Sequence, residues 1–126
     1  MGGKKTILVV EDDPQLRRML TKHLELQHSV HAVENGELAL GWLNDNPAPD
    51  LACLDLALPT MSGFRVCESL RAQQKTRTVP VLVITARTSV QDHTFALEVG
   101  ADAFLEKPFK FKELEAQIAR LLGPAA

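Results

Sequence analysis

Tyrosine is missing from this sequence altogether, tryptophan occurs once and phenylalanine five times. So few aromatics leave no material for a surface on which nucleic-acid bases stack. An excess of one charge is also lacking. Fourteen Lys and Arg stand against sixteen Asp and Glu, for a net charge of −2. That balance offers no electrostatic footprint for nucleic acid or for an acidic membrane surface. Cysteine occurs only twice. Cys53 lies in an apolar run and Cys67 in a helix-like segment, with no CxxC or Cys/His spacing that would hold zinc. Both read as buried structural thiols of a reducing cytoplasm. Long hydrophobic runs are absent too. The apolar stretch before Glu11 is too short for a signal peptide or a membrane span. The expectation is a cytoplasmic protein with no direct nucleic-acid or membrane partner.

What is present is an ordinary globular composition, 45% hydrophobic and 24% charged over 126 residues. This fits one domain able to bury a core without disulfides or metal staples. Strand-like and helix-like segments alternate along it. Ile7-Leu8-Val9-Val10 reads as a buried strand. Asp13-Pro14 then looks like an N-cap with proline in the first helical position, followed by Leu16, Met19, Leu20 and Leu24 at helical spacing. Ser29 to Val33 is a second strand, and a helix follows Asn35-Gly36. Asp50 to Leu56 is a third strand, Pro59 to Gly63 a turn, and Val66, Cys67 and Leu70 mark a third helix. Pro80 to Ile84 is strand four. Helix four runs from about Val90 to Val99 and stops at Gly100. Ala103 to Glu106 is a short fifth strand, and Phe111, Leu114, Ile118 and Leu121 carry the last helix. The pattern is (βα)₅, an α/β class with a parallel sheet covered on both faces. The expected division is an N-terminal extension over 1–5, one domain over 6–122, and a short tail or truncated linker over 123–126.

In an open parallel sheet, ligands bind beyond the carboxyl ends of the strands. Strand one ends in Glu11-Asp12-Asp13, strand three at Asp55, strand four at Thr85 and strand five at Lys107-Pro108. Carboxylates crowded at one edge repel and call for a proton or a cation. A hard oxygen cluster with few ligands suits Mg²⁺. Phosphoryl transfer needs mostly positioning and charge neutralisation, and a carboxylate nucleophile would give an aspartyl phosphate.

Four pieces in order carry a family resemblance: Ile7 to Pro14, Asp50 to Leu56 with Pro59 to Gly63, Val81 to Ala86, and Gly100-Ala101-Asp102 followed by Lys107-Pro108-Phe109. Across essentially its whole length the sequence resembles the receiver domains of bacterial two-component response regulators. The resemblance implies a flavodoxin-like, doubly wound sheet of strand order 2-1-3-4-5 and a cis Lys107-Pro108 bond. It implies that Asp55 accepts the phosphoryl group. Asp12 would bind Mg²⁺ (or Mn²⁺ as a substitute) directly, Glu11 would help through water, and the Ala57 carbonyl would complete the protein's share. Thr85 would donate to the phosphoryl oxygens, Lys107 would pair with them, and Phe104 would be the aromatic that turns inward when the threonine moves. The implied donor is a sensor histidine kinase or a phosphotransfer protein. A downstream effector or a homodimer would meet helix 4, strand 5 and helix 5. No enzymatic turnover is expected beyond self-phosphorylation and slow autodephosphorylation. Ala57 and Arg87 stand where side chains tune the lifetime of the phosphorylated state in this family.

Blander readings stand beside these. Asp13 is more simply a cap than a ligand, Asp102 reads as loop chemistry, and Phe104 as core. The four histidines are too scattered for a metal site, and Arg17, Arg18, Arg65 and Arg71 read as solvated helix faces. An aspartyl-phosphate phosphatase would need a second aspartate where Ala57 stands. A pseudo-receiver, acting only as a protein-interaction module, would have lost an acid, the threonine or the lysine. A nucleotide-binding domain would need a glycine-rich loop after strand one.

Overall fold

The computed structural model describes residues 4–123; residues 1–3 of the expected extension and 124–126 of the expected tail lie outside them. The observed order is β1 (Thr6–Val10), α1 (Pro14–Leu24), β2 (Ser29–Val33), α2 (Gly36–Asp45), β3 (Leu51–Leu54), α3 (Gly63–Ala72), β4 (Val81–Thr85), α4 (Val90–Glu98), β5 (Ala103–Glu106) and α5 (Phe111–Leu122). All strand pairs are parallel, in the order β2-β1-β3-β4-β5. The (βα)₅ architecture and the strand order are as expected.

Residue alternation along the strands builds two cores. Leu8 and Val10 of β1, Ala52 and Leu54 of β3, and Val81 and Val83 of β4 face a layer containing Ala39 and Leu43 of α2, Val66 and Leu70 of α3, and Ala96 of α4. Ile7, Val9, Leu51, Cys53, Leu82 and Ile84 face the other side, against Leu20 and Leu24 of α1 and Leu114 and Ile118 of α5. Every residue of β3 and β4 is buried, as a strand covered on both faces must be. Both cysteines sit in this interior. Burial pushes the Cys53 thiol up to about 12 and Cys67 to about 11, which keeps both protonated and unreactive.

The helices start where side chains can accept their free N–H groups. Asp13 accepts from Gln15 and Leu16 ahead of α1, Asn35 from Leu38 in α2, Ser62 from Arg65 in α3, and Ser89 from Asp92 in α4. Gly100 follows α4 at φ 111°, and a Cβ there would also press on the Arg71 side chain.

Some expectations need correction. Strand three is shorter than Asp50 to Leu56, because its ladder with β1 ends at Val10 and that with β4 at Val83. Asp50 instead turns its carboxylate to the Thr6 N–H at 2.8 Å. Strand four starts after Pro80, which has no N–H, and includes Thr85, paired with Glu106. Arg71 is no solvated face residue. Its guanidinium donates to the carbonyls of Arg77, Val79 and Gly100 and pairs with Asp102 at 2.9 Å, tying α3 to the ends of α4 and β4. Asp102 also accepts the Val81 N–H at 2.8 Å, so it caps a strand. Arg17 likewise donates to the carbonyls of Glu11 and Asp12.

Candidate functional site

The residues after β1, β3, β4 and β5 meet at the carboxyl edge of the sheet. Glu11 follows β1 and is held in register by its N–H on the Val33 carbonyl at 3.0 Å. Asp55 follows β3, its N–H on the Val10 carbonyl at 3.2 Å. Both lie within a sheet edge that leaves them almost no water: Glu11 is 2% exposed and Asp55 5%. Thr85 ends β4 and is equally buried, whereas Asp12 is open to solvent. Lys107 follows β5 and reaches across two strands. Its Nζ lies 2.7 Å from Glu11 Oε1 and 2.6 Å from Asp55 Oδ2. The Lys107-Pro108 bond is cis.

Each buried acid also accepts one backbone N–H. Asp13 donates to Glu11 Oε2 at 3.1 Å, and Ala57 to Asp55 Oδ1 at 3.0 Å. The two carboxyls nevertheless part company. Burial raises Glu11, and its bonds to Lys107 and Asp13 do not offset that, with the neighbouring Asp55 charge adding to the rise. Burial also opposes ionisation of Asp55, but Lys107, the Ala57 amide and the Thr85 hydroxyl outweigh it and hold the carboxyl below its ordinary value. Lys107 is desolvated as well, yet its bonds to the two acids raise it and keep it charged. Both shifts favour the ion pair of an Asp55 carboxylate with the Lys107 ammonium.

The backbone behind Asp55 is tightly drawn. Gly63 donates to the Leu56 carbonyl at 3.0 Å, and a methyl group at 63 would run into the carbonyl oxygen of Asp55. Glycine there lets α3 begin directly behind the acid. One carboxylate oxygen from each of Glu11, Asp12 and Asp55 lies within 4.8 Å of the others. Three hard oxygen donors this close, one of them solvent-facing, fit a small divalent cation that keeps some of its waters.

The structure thus brings Glu11, Asp12, Asp55, Ala57, Thr85 and Lys107 to one place. Phe104 is separate from them. It packs on the α2–α3–α4 side of the sheet and stacks on His93 of α4, ring centroids 4.0 Å apart at 18°. Sequence reading set His93 aside among scattered histidines. A signal was available, since His93 lies on the helix that must cover the β5 aromatic. Arg87, which stands where this family tunes the phosphorylated state, pairs with Asp92 in the first turn of α4 at 2.7 Å and lies over the Phe64 ring.

A doubly wound parallel α/β domain with an acid cluster, a hydroxyl and a lysine at its carboxyl edge defines the class. The chain belongs to the response regulator receiver domain family, whose model matches residues 7–119. It is 44% identical to the two-component response regulator PhoP of Pseudomonas aeruginosa, over 92% of this chain and 51% of that protein. It is 43% identical to the DNA-binding response regulator MtrA of Mycolicibacterium smegmatis, over 94% and 51%. The chain spans about half the length of the curated relatives it matches. Among solved structures it resembles the receiver domain of the sensor histidine kinase PA1611 from Pseudomonas aeruginosa, which holds a magnesium ion in its active-site cleft. The TM-score is 0.87 at 30% identity, covering 97% of this chain and all of that one (100%). It also resembles the chemotaxis response regulator CheY4 of Vibrio cholerae, with TM-score 0.88 at 27% identity, covering 94% and 99%. Among the described residues, no helix is long and apolar enough to cross a membrane.

Proposed function

We propose that this receiver domain is a phosphorylation-dependent signalling switch that accepts a phosphoryl group on Asp55. The observation that carries this reading is the convergence of Lys107 Nζ on Glu11 and Asp55 at 2.7 and 2.6 Å, beside the exposed Asp12. An ionised Asp55 oxygen attacks phosphorus, and the phosphorus–nitrogen bond to the donor histidine breaks, leaving the imidazole to take a proton. Lys107 and the Thr85 hydroxyl neutralise charge on the phosphoryl oxygens. Glu11, Asp12, Asp55 and the carbonyl of Ala57 would hold Mg²⁺, which supplies further charge neutralisation when bound. Mn²⁺ would substitute.

The donor is a sensor histidine kinase or a phosphotransfer protein, in the cytoplasm. The new charge biases the surface of α4, β5 and α5, through Thr85 and Phe104, toward an effector or a second copy. Turnover is confined to self-phosphorylation from small phosphodonors and slow autodephosphorylation, since Ala57 offers no acid or base to a substrate.

Acetyl phosphate with Mg²⁺ should add one phosphoryl group to the protein, read as a mass increase, and Asp55→Asn should abolish it. An unmodified wild type, or an equally modified variant, would remove this reading.

A further inference from the structure

The turn that carries Glu11 and Asp12 is tied to α1 by an arginine that the site described above does not use. Arg17 stands near the start of α1. Its Nη1 donates to the Glu11 carbonyl at 2.8 Å and to the Asp12 carbonyl at 3.3 Å. Among the described residues no backbone N–H reaches either carbonyl, and no carboxylate pairs with Arg17. The half-buried guanidinium is therefore committed to the backbone of these two acids. Charge does not explain the placement. The amino end of a helix disfavours a cation, and the first turn of α1 holds no acid to offset it. A positive charge beside the cluster also opposes a bound metal ion. A contact kept against both effects points to geometry.

We propose that Arg17 is a positioning residue that sets the preference of the acid cluster for Mg²⁺ over larger divalent cations, by fixing the backbone that aims Asp12. This rests on the reading of Glu11, Asp12 and Asp55 as the Mg²⁺ site. The two neighbouring acids are held in different ways. The Glu11 carboxylate is bonded at both oxygens, by Lys107 and by the Asp13 N–H. The Asp12 carboxylate stands open to solvent, so its direction depends on the backbone that bears it. That backbone is anchored before the turn by the Glu11 N–H on the Val33 carbonyl, and across it by Arg17. A planar guanidinium bonded to two successive carbonyls fixes their orientation as well as their distance. Mg²⁺ demands near-ideal octahedral geometry at short range, whereas Ca²⁺ accepts longer and less regular coordination. A turn held rigid favours the first ion, and a turn set loose no longer does.

Titration of the nitrogen-15-labelled chain with MgCl₂ and, separately, with CaCl₂ tests this, read from the amide shifts of residues 11–13 and 55–57. Arg17→Met keeps the alkyl stem and removes the donors. It should weaken Mg²⁺ binding about tenfold, as loss of a group that orients a ligand does. Ca²⁺ binding should change by less than about threefold, so the Mg²⁺ preference falls. Arg17→Lys keeps the charge and one donor and should recover part of that preference. If Arg17→Met loses its dispersed amide spectrum, Arg17→Lys carries the test, with a preference below that of the wild type expected. A wild type that binds no Mg²⁺ at these residues overturns the metal site and this inference with it. A wild type that binds Mg²⁺, with both ions tightened in Arg17→Met and unchanged in Arg17→Lys, would make Arg17 a matter of charge alone. Equal weakening of both ions would make it general support of the fold. An unchanged preference in the variants, like either of these results, overturns the positioning role and leaves the metal site standing.

Discussion

Both ends of the sheet collect acids, and they use them in opposite ways. At the amino ends, Asp50 accepts the Thr6 N–H and Asp102 accepts the Val81 N–H, each at 2.8 Å. Those N–H groups have no strand partner, so each acid completes a bond that the ladder leaves open. Asp102 adds Arg71 and is balanced. At the carboxyl ends, Glu11, Asp12 and Asp55 crowd together around Lys107. Three negative charges against one positive leave an excess that only protonation or an added cation removes. An acid that closes a strand is self-sufficient. Acids in excess of their cations form a place for something else to bind.

Lys107→Met breaks the carboxyl-edge arrangement most severely. It leaves two nearly buried carboxylates without a counter-charge and should cost about 3 kcal/mol at pH 7 by urea unfolding. With the lysine gone, burial lifts Asp55 instead of Lys107 lowering it. The variant's deficit should therefore shrink as pH falls toward 4 and both acids take up protons. A deficit constant over that range would mean that Lys107 contributes packing and not charge. At the amino edge, Asp102→Ala should cost about 2 kcal/mol, since it strands the Val81 N–H and frees Arg71. It should leave Mg²⁺ binding intact. A lost Mg²⁺ response would erase the distinction between the two edges.

The carboxyl edge was legible in the sequence because strand direction alone carries Glu11, Asp12, Asp55, Thr85 and Lys107 to one side. The apolar runs that mark the strands also mark their ends. What was not legible depends on long side chains reaching across elements. Arg71 spans 29 residues of sequence to the Gly100 carbonyl and 31 to Asp102, and its helical spacing looks like that of any surface arginine. His93 meets Phe104 only once α4 lies over β5. The end of strand three was misjudged because Leu56 is as buried as the strand itself, so hydrophobicity did not mark where pairing stops.

Mg²⁺ sharpens the comparison at a smaller scale. At about ten times its dissociation constant it should stabilise the wild type by about 1.4 kcal/mol. Asp12→Asn should lose most of this gain, because Asp12 is the member of the cluster that faces solvent. Asp50→Ala should keep the gain while losing the Thr6 bond. A full Mg²⁺ effect in Asp12→Asn would move the binding site away from the carboxyl edge.

The smallest effect tests whether Glu11 belongs with the acids in excess. Burial lifts its carboxyl further than Lys107 and the Asp13 N–H lower it. Ionising Glu11 is thus harder in the folded chain than in the unfolded one, where a glutamate titrates near about 4.3. The stability tied to its protonated form is present below that unfolded value and is lost as pH rises through the higher folded value. Glutamine is neutral throughout. Without Mg²⁺, Glu11→Gln should match the wild type below about pH 4 and gain on it as pH rises toward 7, by less than any of the effects above. Urea unfolding in the presence of a chelator measures this directly. A variant less stable than the wild type at pH 7 would mean that the bond to Lys107 outweighs the burial of Glu11, which would make Glu11 as self-sufficient as Asp50 and Asp102 and reduce the excess charge at the carboxyl edge to Asp12 and Asp55.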